Sequence, residues 1–101
     1  MYSGTADPAS GTVEVVITEE LDAASVPRFS VLLNEAADKH PEHLVVDLAR
    51  CPFIDASAIG LLLDVHRRVW SAGGRLTLRS PGPRVARTLR LARVEHVLLV
   101  Q

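Results

Sequence analysis

The stretch LVVDLARCPFIDASAIGLLLDVHRRVWSAGGRLTLRS, residues 44–80, decides how the chain is read. It opens on a nearly continuous apolar run, LVVDLA (44–49), the pattern of a central strand buried on both faces. FIDAS (53–57) then leads into a helix at about 57–72. Asp64, Arg67, Arg68 and Ser71 form its solvent face, and Ile59, Leu62, Leu63, Val65, Val69 and Trp70 its apolar faces. Gly73-Gly74 end the helix. RLTLRS (75–80) alternates and reads as a second strand. A strand, helix, strand succession of this kind is a parallel, right-handed crossover.

The pattern extends in both directions. TVEVVITEEL (12–21) places Val13, Val15 and Ile17 on one face of a strand. SVPRFSVLLNEAADKH (25–40) reads as a helix with Ser25 able to cap it and Pro27 in its first turn. Its Phe29, Leu32, Leu33 and Ala36 form one apolar stripe, and Pro41 follows the stop. Pro81-Gly82-Pro83 turns into a third helix (about 83–93) with Val85, Leu89 and Ala92 inward, and VLLV (97–100) is a last strand. Residues 1–11, MYSGTADPASG, read as a flexible arm or short edge strand, and residues 12–101 as one domain. The expected fold is α/β: a mostly parallel (mixed) sheet of four to five strands covered by about three α-helices.

Composition narrows the function classes. With 48% hydrophobic and 23% charged residues in 101, the chain is globular rather than disordered. Aromatics are only 4%, so Leu, Val, Ile and Ala must build the core. Cys51 is the one cysteine, which excludes an internal disulfide and suits a reducing compartment. No secretory signal pattern and no bilayer-length apolar run is visible, so the expected location is the cytoplasm. Residues 1–43 hold eight acids and two bases, a balance of −6. Residues 44–101 hold four acids and nine arginines, a balance of +5. Such asymmetry marks an interface in some proteins and vanishes on folding in others.

A parallel sheet gathers the loops after its strands on one edge, where α/β proteins place their sites. Two polar loops fall there, EELDAAS (19–25) and FIDAS. Neither is a glycine-rich phosphate loop. A phosphoacceptor aspartate needs a lysine near the last strand, and Lys39, the only lysine, ends the first helix. A hydrolase serine needs a histidine base; His66 lies too far along the same helix as Ser57, and nothing positions His96. His40 and His43 (H-P-E-H) lack converging partners for zinc and read as exposed loop histidines. Arg84, Arg87, Arg90 and Arg93 lack the interleaved aromatics of a single-strand binder and read as a solvated face. No catalytic residue, metal ligand or cofactor is therefore expected. Asp55 and Ser57 remain; both are preferred N-caps, and either can accept an N–H from the first turn.

At this point the sequence resembles a family. VVDLARCPFIDASAIGLLLDVHRRVWSAGGRLTLRSPGPRVARTLRLARVEHVLLV, with ELD at 20–22, is similar to the STAS domain, in particular to stand-alone bacterial anti-sigma factor antagonists. The resemblance covers about residues 12–101. It implies that Ser57 is the phosphorylated serine, that Asp55 opens its loop, and that Asp22 lies nearby on the same edge. Asp47 matches a structural aspartate. The partner surface implied comprises Asp22, Asp55, Ala56, Ser57, Ala58 and Gly60. Ala56 stands where the family has a first serine, which leaves Ser57 as the one loop hydroxyl, and Ala58 replaces a glycine. The implied function is a non-catalytic switch. It binds an anti-sigma factor serine kinase when unphosphorylated, frees a sigma factor, and is reset by a serine phosphatase, with no direct nucleic acid or membrane partner. The alternative is a STAS-type scaffold or regulatory subunit of a stress-signalling or transporter complex, without a phosphorylation cycle.

Overall fold

The computed structural model describes the backbone of residues 2–7 and the whole of residues 11–101. The elements run β1 (Tyr2–Asp7), β2 (Thr12–Ile17), α1 (Val26–Ala37), β3 (His43–Asp47), α2 (Ala56–Ser71), β4 (Arg75–Arg79), α3 (Pro83–Leu91) and β5 (Leu99–Val100). They form one five-stranded sheet in the order β1-β2-β3-β4-β5. β1 pairs antiparallel with β2, and the other pairs are parallel. The mixed α/β architecture expected from the sequence is the one observed. The last strand is shorter than expected, because Val97 and Leu98 close a turn onto Val94 instead of joining the sheet.

One expectation fails instructively. β3 is not buried on both faces. Because β2 to β5 follow in chain order, right-handed crossovers bring all three helices to the same face. There, Val13, Val15, Ile17, Leu44, Val46, Leu76 and Leu78 pack with Phe29, Leu33, Leu62, Val65, Val85 and Leu89 into one core. The opposite face carries Glu14, His43, Val45, Asp47, Thr77 and Arg79, and only Val45 and Thr77 of these are buried. His43 belongs to this open face and not to a loop; its Nε2 lies 2.6 Å from Thr77 Oγ1. Desolvation, reinforced by Arg75, pushes its imidazole below the usual histidine range. His40 is the exposed residue of the pair, at φ 49°.

Arg79 ties three strands of that open face, donating to Glu14 at 2.6 Å and Asp47 at 2.8 Å. Asp47 also accepts from the Ala49 N–H at 2.9 Å. These bonds, Arg79 first, hold its carboxyl below the ordinary range. A carboxyl with a depressed folded pKa stabilises the fold above its unfolded value, about 3.9, and that contribution is lost as pH falls through the folded value. Urea unfolding midpoints should therefore fall more steeply below about pH 4 in the parent than in Arg79→Gln. Equal acid limbs in the two proteins would show that the bridge contributes nothing.

The helices end as their sequences dictate. Gly73 adopts φ +89°, which favours glycine, and a Cβ on Gly74 would meet the Pro41 carbonyl oxygen at 2.2 Å. That close approach lets Arg75 N–H donate to Glu42 O at 3.1 Å and start β4 in register. Arg68 joins α2 to α1 through Asn34 and Asp38. Trp70, expected among the apolar faces, is instead 66% exposed.

Candidate functional site

The loops after β2 and β3 are stitched together beyond the end of the regular sheet. Leu21 and Ile54 form a lone parallel bridge, with Leu21 N–H to Phe53 O at 2.9 Å and Asp55 N–H to Leu21 O at 3.3 Å. Both apolar side chains are buried and anchor the two loops in the core. Cys51 lies beneath, its thiol donating to Phe53 O at 3.4 Å, and burial pushes its pKa up, so it is a poor nucleophile.

Asp55 settles the question of the cap. The helix begins at Ala56, one residue before the sequence-based boundary, so Asp55 takes the N-cap with extended backbone. Its Oδ1 accepts the Ala58 N–H at 3.0 Å. Its Oδ2 accepts the Ala23 N–H of the other loop, also at 3.0 Å. One carboxylate thus caps α2 and locks the two loops. Asp22 folds its own loop, its Oδ1 accepting from Ala24 at 3.1 Å and Ser25 at 3.0 Å. Ser25 does not cap α1 through its side chain. Its Oγ donates to Glu20 O at 2.8 Å and accepts from Asp22 N–H at 3.0 Å, a clasp that residue preferences alone did not reveal.

Ser57 is the second residue of α2, exposed, and its hydroxyl makes no hydrogen bond among the described residues. It is not the cap. The backbone N–H groups of Ala56 and Ser57, in the first turn, have no intrahelical acceptor. Ala56 and Gly60 are exposed beside it, and Ala23 and Ala24 are exposed on the adjoining loop. A Cβ on Gly60 would meet nothing within 4 Å, so the chain's own packing does not demand glycine there. Ala58, included in the expected contact surface, is fully buried and offers a partner no side chain. On the far side of the FIDAS loop Arg84 stacks on Phe53, its guanidinium carbon 5.1 Å from the ring centroid. Among the described residues no three His, Cys, Asp or Glu side chains gather as a metal set.

A family model of the STAS domain matches residues 6–101 of the chain. The chain belongs to the STAS domain family. Among solved structures it is similar to protein tm1081 of Thermotoga maritima, at TM-score 0.86 and 18% identity over 99% of this chain and 85% of that one. It is also similar to the unphosphorylated anti-sigma factor antagonist SpoIIAA, at TM-score 0.76 and 22% identity over 100% of this chain and 87% of that one. A third likeness is to murine Solute Carrier 26 family member A9, an anion transporter, at TM-score 0.77 and 16% identity over 89% of this chain but 15% of the transporter. At these identities the structural likeness establishes the STAS fold. No helix of the described residues is long and apolar enough to cross a membrane.

Proposed function

We propose that the chain is an anti-sigma factor antagonist, a non-catalytic switch thrown by phosphorylation of Ser57. The observation that carries this reading is the division of labour in the FIDAS loop. Asp55 has taken the capping bonds, and the hydroxyl of Ser57 is left exposed and unbonded at the helix N-terminus. A hydroxyl used as a cap would be shielded from a kinase; this one is accessible. SpoIIAA, which shares the fold, exists in phosphorylated and unphosphorylated forms. In this reading the unphosphorylated chain binds an anti-sigma factor that is also a serine kinase, through the surface around Asp22, Ala56, Ser57 and Gly60, and so frees a sigma factor. A serine phosphatase resets it.

The physics of the switch is local. A phosphate adds about −1.5 to −2 charge and three acceptor oxygens. The open N–H groups and the dipole of the first turn tolerate that anion, so the fold survives. The partner, fitted to a small neutral hydroxyl among small residues, meets bulk and charge. Incubating the protein with the candidate kinase and ATP should raise its intact mass by one phosphate, and Ser57→Ala should abolish the gain while folding normally. A phosphate that persists in Ser57→Ala would overturn the assignment.

The transporter likeness favours one other reading, a STAS module that regulates a larger assembly without a phosphorylation cycle. Under it, no mass gain occurs with any cognate kinase, and Ser57→Asp binds its partner as tightly as the parent.

A further inference from the structure

The end of α2 opposite Ser57 carries a separate concavity. Ser57 and Trp70 stand at the two ends of that helix, about 20 Å apart at 1.5 Å per residue. A cavity of about 410 Å³ lies between the last turns of α2, the start of β4 and the approach to β5. A basin of about 630 Å³ continues from it toward Gly73, Gly74 and Glu42, sharing Trp70, Arg75 and Leu99.

Its lining is of two kinds. Trp70 is 66% exposed, Leu99 48% and Val97 40%, and they meet here with buried Leu76 as one apolar wall rather than scattered singly. Arg75, His66 and His96 complete the lining, with the His66 ring beside Trp70 at 6.0 Å between centroids. Among the described residues the Arg75 guanidinium has no carboxylate partner, as is also true of Arg50, Arg84, Arg87, Arg90 and Arg93; of these six, Arg75 is the one that lines this groove. The buried Nδ1 of His66 also has no hydrogen-bond partner. Glu42, the carboxylate of the group, lies on the basin side. An apolar wall with a few converging polar groups, in a volume of a few hundred Å³, is the usual make-up of a small-molecule site.

We propose that this groove binds a small amphipathic carboxylate, its chain against Trp70, Leu76, Val97 and Leu99 and its anionic head at Arg75. The charge selects an anion, and the wall selects one with an apolar tail. The site is independent of Ser57 and of the switch, and nothing in the proposed function requires it.

Trp70 is the only tryptophan in the chain, so its fluorescence reports on the groove directly. Titrating the whole protein with decanoate should give a saturable blue shift, matched by calorimetry. Decanol, which has the tail without the charge, and acetate, which has the charge without the tail, should each bind at least about tenfold more weakly. Arg75→Gln, a change at an exposed position, should weaken decanoate about tenfold or more, and Arg75→Lys should recover part of the loss. The proposal is overturned if decanol matches decanoate, or if Arg75→Gln binds decanoate unchanged. It is also overturned if the protein is a dimer that Trp70→Ala dissociates without any decanoate binding, which would give the groove to a second copy. Binding to phosphatidylglycerol vesicles with no uptake of free decanoate would overturn it too, in favour of a membrane surface.

Discussion

If the proposed switch holds, Ser57→Asp is expected to melt within a degree or two of the parent and to bind the proposed anti-sigma factor kinase on the order of a hundredfold more weakly or worse. The two halves of that result have separate causes. Stability holds because Ser57 is exposed and its hydroxyl gives up no hydrogen bond among the described residues, and an acid in the first turn interacts favourably with the helix dipole by about 0.3–1 kcal/mol. Affinity falls because the new carboxylate sits among Ala56, Gly60 and the small residues of the neighbouring loop, where a fitted partner excludes water. Burying an unpaired charge in such a contact costs about 3 kcal/mol, which is the hundredfold. Calorimetric titration of the purified kinase with both proteins, alongside their thermal melts, checks both halves. Retained affinity at unchanged stability would sink the switch. A protein that melts early would show that Ser57 carries structural weight that its exposure denies.

Much of the fold was legible in residues 44–80, because a parallel crossover writes itself as an apolar run, an amphipathic run and an alternating run separated by turn signals. What the run 44–49 did not disclose was that one side of the sheet is open. Val45 is buried although it lies outside the helix-covered core, so the residue pattern imitates a two-sided strand. Trp70 misled for a related reason: its place on an apolar face is correct, but among the described residues that face meets a groove instead of a packed neighbour. At the site, Asp55 and Ser57 were equally good caps by residue type. The choice depended on where the helix starts, a matter of one residue that local preference does not resolve. The bond from Ala23 to Asp55 spans two loops far apart in sequence, and the Ser25 clasp depends on the path of the backbone. Neither is written in side-chain chemistry.

Asp55→Ala is expected to cost the fold about 2–3 kcal/mol, because one carboxylate serves two amides. Losing the cap on α2 contributes about 1 kcal/mol, and releasing the Ala23 amide from a charged acceptor contributes about as much or slightly more. For a domain of this size that is a drop in melting temperature on the order of 10 °C. Asp55→Asn separates the two roles, since its amide keeps one acceptor oxygen and loses the second; it should cost roughly half as much. Amide hydrogen exchange locates the damage. Ala58 should lose protection in Asp55→Ala and keep it in Asp55→Asn, whereas Ala23 should open in both. The same measurement distinguishes this residue from Ser57. If the loops are the platform and the hydroxyl the switch, Asp55→Ala weakens partner binding by loosening the platform and Ala23 exchanges faster. Ser57→Asp instead weakens binding with Ala23 still protected, because the added charge repels the partner without disturbing the surface that carries it.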